Sequence, residues 1–420
     1  MNREPHGDGY PETSSVEAAD ESSTPANLSP SVLVFTSHRS AELVVPLRET
    51  ELDATVIEVD SSGSLPGRSL ETLRRTRAAI EVSDPDLILL DCYEVMGTLV
   101  TLLARWNDVP IIARLVGDTW QRFENAVCNE RANGSYHRAV FYRGILSMDE
   151  FVFDRAAGFI VVSAQLGEVV QQRTGCPPER IGIVPVPDTG IAEASNGDDS
   201  RDAGNSTDDT GSTSRGSPSN PRDRFGFDSE QILLTVTNLK YRAKYRGIEE
   251  ILSEIEPILK ANPNVAYVVA GGGEFTEKLK SNLATLVSDP DVRDRIHVAG
   301  YVTEVGSLYE LADVFVYVSY LDGYPRVVLE AQRAGVPVVA NDAFGMQEQI
   351  VDGESGFLID PSDSGQLADR VAFLLGNDEE RHRLGRGGKE RVARENSPDV
   401  VGGRLETFVR GVYAGLDRDS

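Results

Sequence analysis

Residues 311–340, LADVFVYVSYLDGYPRVVLEAQRAGVPVVA, constrain the chain more than any other stretch. They read as an apolar strand, a glycine turn, a helix and a second apolar strand. A helix that joins two strands makes them parallel, with a right-handed crossover. One carboxylate, Asp322, stands at the turn, and a second, Glu330, lies inside the helix with seven residues between them. The turn at Gly323 leaves the first N–H groups of the helix without partners, and such helix starts attract phosphate. A carboxylate inside the helix accepts hydrogen bonds from sugar hydroxyls. A nucleotide sugar, with its diphosphate and polyol, offers both.

The same strand–helix alternation runs through the chain twice. Strand-sized apolar runs occur at 31–37, 54–60, 86–91, 109–115, 158–163 and 181–187, with a mostly helical region over 119–157. They recur at 231–237, 265–271, 295–301, 314–319, 336–340 and 355–360, with an amphipathic helix over 246–259. Between the two series, residues 189–228 hold almost no large apolar side chain and cannot offset the entropy of ordering. The expected architecture is α/β: two doubly wound, Rossmann-like domains facing across a cleft. The expected limits are an acidic disordered tail over 1–30, an N-terminal acceptor-side domain over 31–188 and a flexible linker over 189–228. A C-terminal nucleotide-sugar domain over 229–395 follows, then a closing helix over 396–420 whose expected seat is the N-terminal domain.

The charge of −26, with only six Lys among 41 basic residues, suits a surface that stays hydrated in concentrated salt. A high-salt cytoplasm, as in a halophilic archaeon, is the expected setting. Such a surface repels nucleic acid. Cys92, Cys128 and Cys176 form no C-x-x-C and fit a reducing compartment. The first thirty residues carry no apolar core and are read as neither signal peptide nor anchor.

Ligands of doubly wound sheets sit at the carboxyl ends of strands, and four loops there carry polar chemistry. TVTNLKYRAKYRG (235–247) places Asn238, Lys240, Arg242, Lys244 and Arg246 where a helix is expected to start. Cations there oppose the helix dipole but suit a diphosphate. VVAGGGEF (268–275) lets backbone approach a ligand at Gly272. The Asp322–Glu330 turn is the third loop. The fourth, NDAFGMQEQ (341–349), is expected to offer the amides of Gly345 and Met346. In the first half, Asp118 follows IIARLVG; helix capping and contact with an acceptor or sugar are both open to it. Ser163 reads as a helix cap.

These loops resemble the donor-binding half of the family 4 glycosyltransferases, which have the GT-B fold. The specific parts are YELADVFVYVS, DGYPRVVLEAQRAGVPVVA and FGMQEQIVDGESGFLI. The likeness covers residues 230–395 well and 31–188 weakly. It implies transfer of a hexosyl-type sugar from a nucleotide-diphosphate donor to a glycan or lipid-linked acceptor, with retention and without a metal ion or cofactor. By this resemblance Glu330 holds the ribose, and Asp322 stands for the first acid of the family's Glu-x7-Glu. Lys244, assisted by Lys240, meets the diphosphate, and Asn238 stands where arginine is common. Asp118, Lys244, Asp322 and Glu330 form the implied catalytic set; Gly323, Tyr324, Pro325, Gly345, Met346 and Gly272 complete the donor set with Asn238, Lys240 and Arg246. HRAVFYR (137–143) is a candidate contact with the inner membrane face, an ordinary amphipathic helix being its other reading. A nucleotide-sugar epimerase, a nicotinamide oxidoreductase and a non-catalytic binding protein are the rival readings; no complete dinucleotide fingerprint follows any strand.

Overall fold

The computed structural model describes residues 29–36, 40–59, 65–190 and 231–419. The tail expected over 1–30 and the linker expected over 189–228 fall almost wholly outside them. Strands and helices alternate as the apolar runs imply. The first series is β1 (Ser31–Thr36), α1 (Ser40–Leu47), β2 (Asp53–Glu58), α2 (Leu65–Ser83), β3 (Leu87–Asp91), α3 (Glu94–Trp106), β4 (Ile111–Leu115), α4 (Thr119–Ala132), α5 (Tyr136–Phe153), β5 (Gly158–Val161), α6 (Ala164–Thr174) and β6 (Ile181–Ile183). The second is β7 (Gln231–Val236), α7 (Arg242–Ala261), β8 (Val265–Ala270), α8 (Phe275–Leu286), α9 (Pro290–Arg293), β9 (Ile296–Gly300), α10 (Val305–Leu311), β10 (Val314–Tyr317), α11 (Arg326–Arg333), β11 (Val338–Asn341), α12 (Met346–Gln349) and β12 (Phe357–Ile359). Three helices close the chain: α13 (Gln366–Leu375), α14 (Asp378–Glu395) and α15 (Pro398–Asp419).

Each series forms a six-stranded sheet in which every pairing is parallel. The first has the order β2-β1-β3-β4-β5-β6, the second β12-β11-β10-β7-β8-β9. Chain direction across the second sheet reverses between β7 and β10, the place where open α/β sheets hold ligands. Apolar clusters fill both faces of each sheet, which is why their strands read as continuous apolar runs.

Two features bind the halves together. Helix α15 returns to the first sheet, where Val401, Leu405, Val409 and Val412 pack with Val32, Val34, Leu87 and Leu89. Asn396, just before it, donates to the Val186 carbonyl at 2.8 Å and to the Tyr324 hydroxyl at 2.9 Å. The carboxyl edges of the sheets also meet. The Ala164 amide at the start of α6 donates to Glu348 at 2.5 Å, and the Phe344 amide to Gln165 at 2.6 Å.

Candidate active site

The switch point of the second sheet gathers most of the polar residues named from sequence. Helix α7 begins at Arg242, four residues earlier than its apolar spacing suggests, so Lys244 lies in its first turn rather than in the loop. Gly247 lets that turn sit directly on the end of β10: a Cβ there would stand 1.9 Å from the Val318 carbonyl oxygen. The approach buries Lys244 to 7% exposure and brings its ammonium against Asp322 and the Tyr317 hydroxyl. Tyr317 donates to Asp322 Oδ2 at 2.7 Å, and Ser319 to the same oxygen at 2.5 Å. Asn341 fixes Ser319 in turn, accepting its amide at 2.9 Å and donating to its carbonyl at 3.0 Å. Burial pushes the Asp322 carboxyl up. The Lys244 charge and the hydrogen bonds from Lys244, Ser319 and Tyr317 outweigh it and hold the group below the usual carboxylate range. Asp322 is therefore an ionised acid clamped by three donors.

Glu330, on the second turn of α11, has a different setting. It accepts from the Tyr309 hydroxyl at 2.9 Å and lies 3.9 Å from Arg326. Burial raises its carboxyl above the ordinary range; the Tyr309 bond and the Arg326 charge oppose that rise. Arg326 also reaches Glu42 of α1, in the other half, at 3.5 Å. Glu42 meets Arg114 at 3.4 Å, and Arg114 meets Asp91 at 3.1 Å. Glu42 and Arg114 are both buried. A row of alternating charge, buried at Arg114 and Glu42 and part-exposed at Arg326, thus runs from Asp91 on β3, across the domain boundary, to Glu330.

The other residues named from sequence divide. Asn238 accepts the Lys240 amide at 2.9 Å and shapes the β7–α7 turn. Arg246 is exposed, pairs with Glu250 at 2.9 Å and lies 4.7 Å from the Tyr320 ring centroid. Gly323 lies against the first domain, where a Cβ would stand 2.6 Å from the Val116 carbonyl oxygen and 3.3 Å from Gly117 Cα. The loop leading to Asp118 therefore touches the Asp322 turn. Asp118 caps α4, accepting the Gln121 amide at 2.8 Å, and Ser163 caps α6 through Leu166 at 3.4 Å.

One position differs from its expected role, and four more have partners within the protein. The Gly345 amide, expected to face phosphate, donates to the Gly323 carbonyl at 2.9 Å, because the β11 loop folds onto the Asp322 turn. Met346 is fully buried in the apolar cluster under that loop. Tyr324 packs into the core of the first domain. Pro325 precedes α11, and its carbonyl accepts from Gln349 at 2.9 Å. Gly272 accepts the Leu239 amide at 3.0 Å, so the glycine run holds the β8 loop against the β7 loop.

Sequence reasoning missed Tyr317, Ser319, Asn341, Tyr309, Arg326, Glu42 and Arg114. The signal for Arg114 was present: one guanidinium inside the apolar run IIARL needs a buried carboxylate.

The fold is that of the GT-B glycosyltransferases. Sucrose-phosphate synthase from Thermosynechococcus elongatus superposes with a TM-score of 0.64 at 16% identity, covering 91% of this chain and 99% of that one. Anabaena HepE, in complex with UDP and glucose, superposes with a TM-score of 0.61 at 16% identity, covering 90% and 99%. Residues 220–391 match the family described as glycosyl transferases group 1. The capsular polysaccharide biosynthesis glycosyltransferase CapM of Staphylococcus aureus is 28% identical over 166 residues, which is 39% of this chain and 43% of CapM. The matched segment spans less than half of that curated relative, and the family match over 220–391 takes in Lys244, Asp322 and Glu330.

Proposed function

We propose that this protein transfers a sugar from a nucleotide-diphosphate donor to an acceptor, with retention at the anomeric carbon and with no metal ion. The observation that carries the reading is the pair of unlike acids at the switch point. Asp322 is held ionised by Lys244, and the part-buried Glu330 is held by the Tyr309 hydroxyl. The family match over 220–391 and the complex of HepE with UDP and glucose support the nucleotide-sugar donor.

In this reading Glu330 accepts from the ribose hydroxyls, which replace part of the water lost on burial. Asp322 orients the transferred sugar. The bond from the anomeric carbon to the diphosphate breaks, and the bond to the acceptor oxygen forms on the same face; the acceptor proton leaves with the diphosphate. Negative charge gathers on that diphosphate. Lys240 and Arg246, beside the start of α7, stabilise it, with the buried Lys244 behind them. The Val116–Asp118 loop brings acceptor-side backbone against Gly323, which excludes water from the donor. The acceptor reading is a glycan or a lipid-linked sugar, and the family 4 assignment stands as part of the proposal.

The test is release of nucleoside diphosphate from a panel of UDP- and GDP-sugars, with and without a chelator. Turnover that survives the chelator and falls by about a hundredfold or more in Glu330→Ala supports the reading. An isomerised sugar nucleotide formed without acceptor would replace it with an epimerase.

A further inference from the structure

Helix α11 carries an arginine where helix stability gives no reason for one. Arg326 is its first residue, and a cation at a helix N-terminus opposes the dipole. Four residues on stands Glu330, at the spacing that lets an arginine and a glutamate on one helix face pair. Elsewhere in this chain the same spacing and order close into a hydrogen bond. Arg77 meets Glu81 at 2.7 Å on α2, and Arg246 meets Glu250 at 2.9 Å on α7. Arg326 Nη2 stays 3.9 Å from Glu330 Oε1, beyond hydrogen-bond distance.

The cause lies in the other half of the molecule. Arg326 Nη1 faces Glu42 Oε1 on α1 at 3.5 Å, and Nη2 donates to the Thr189 hydroxyl, in the segment that leaves β6, at 3.5 Å. The other oxygen of Glu42 meets Arg114 at 3.4 Å. A buried carboxylate needs cations beside it. The Glu42 side chain is 0% exposed and that of Glu330 14%, so Glu42 has the stronger claim on the guanidinium. Glu330 is left with one oxygen taken and one open. Tyr309 donates to Oε2 at 2.9 Å, and Oε1, with Arg326 held off, faces any ligand hydroxyl that arrives.

We propose that Arg326 is a positioning residue for donor binding, and that Glu42 of the first domain draws its guanidinium aside so that Glu330 stays open to the ribose. The inference rests on the reading of Glu330 as the ribose acid. It adds that a residue of the first domain sets the affinity of a site built on the second. At its distance Arg326 also acts through its charge, which opposes the rise that burial imposes on the Glu330 carboxyl. The other groups facing Glu330 are Tyr309 from α10, Arg333 from its own helix and Asp188 from the segment after β6, which pairs with Arg333 at 3.3 Å.

The experiment is calorimetric titration of the full chain with UDP and with GDP from pH 5 to pH 8. Glu42→Gln releases Arg326 to close on Glu330, and nucleotide binding at pH 8 should weaken about tenfold, a typical coupling between sites. E42Q/R326Q should bind more tightly than E42Q, because no guanidinium then remains to cover Oε1. Arg326→Gln alone lets the Glu330 carboxyl rise further. Binding that needs the carboxylate is then lost from a higher pH on acidification, and the gap to the wild type widens from pH 8 to pH 5. Arg326→Lys keeps the charge and should narrow that gap. A loss in R326Q that is equal at every pH overturns the proposal in favour of direct contact between Arg326 and the donor phosphates. A folded E42Q that binds as tightly as the wild type overturns it as well. If E42Q does not fold, because Arg114 loses a charged partner, the R326Q profile decides alone. Wild type that binds neither nucleotide, or Glu330→Ala that binds at wild-type strength, removes the ribose reading and this inference with it. Dependence on Glu330 without dependence on Glu42 removes this inference only.

Discussion

Replacing Lys244 by methionine keeps the length of the side chain and removes the ammonium that faces Asp322. Asp322 keeps its burial, with its side chain 23% exposed, and keeps the Tyr317 and Ser319 donors. Removing one partner of a buried ion pair costs about 3–5 kcal/mol, because the remaining charge is left uncompensated. Partial exposure places Asp322 at the lower end, about 3 kcal/mol, or a fall of about 6–12 °C in melting temperature for a domain of this size. The pH dependence follows from the depressed acidity of Asp322. Its contribution to the wild type is present above the unfolded carboxylate pKa of about 3.9 and is lost as pH falls through the folded value. In the variant, burial without Lys244 raises the same carboxyl. The gap between the two proteins is therefore widest near neutrality and closes in acid. Melting curves from pH 4 to pH 8 measure it, together with Asp322→Asn and the double variant. The double variant should recover part of the loss, since neither charge is then left alone. Equal gaps at every pH, or strict additivity of the two single substitutions, would refute the pairing.

Other outcomes follow from the same geometry. Gly247→Ala should destabilise the second domain by about 1–3 kcal/mol or stop its folding, since its Cβ meets the Val318 carbonyl; chemical denaturation reads this directly. Tyr309→Phe should raise KM for the nucleotide sugar and leave kcat nearly unchanged, because it removes a donor from Glu330 and, beyond that, only the longer 3.3 Å contact with the Val327 carbonyl. Asp149 sits buried with its carboxyl raised to about 7 by loss of solvent; the folded state prefers the protonated acid, so stability falls as pH rises from about 4 to 7. Asp149→Asn keeps an acceptor for the Glu94 amide and should raise the melting temperature at pH 8 while leaving it little changed at pH 4.

The fold was legible because parallel strands buried on both faces must be apolar throughout, and twelve such runs stand out. Helix α1 was not: eight residues with Pro46 inside carry too short a period to separate from a loop. The acids of the site were legible, since Asp322 and Glu330 interrupt apolar sequence at fixed spacing. Their partners were less so. Tyr317 and Tyr309 read as core aromatics, and a hydroxyl's direction depends on packing rather than on spacing. The Glu42–Arg326 contact joins residues from opposite ends of the chain, which no local pattern encodes. Gly345 was misread for a related reason: a loop amide looks available in sequence, while the fold places the Gly323 carbonyl against it.

A crystal structure with UDP or GDP bound tests the central claim most directly. The account expects the ribose hydroxyls on Glu330 and the diphosphate between Lys240, Arg246 and the Asp322 turn. A nucleotide seated on the first domain, or one whose ribose lies away from α11, would contradict it.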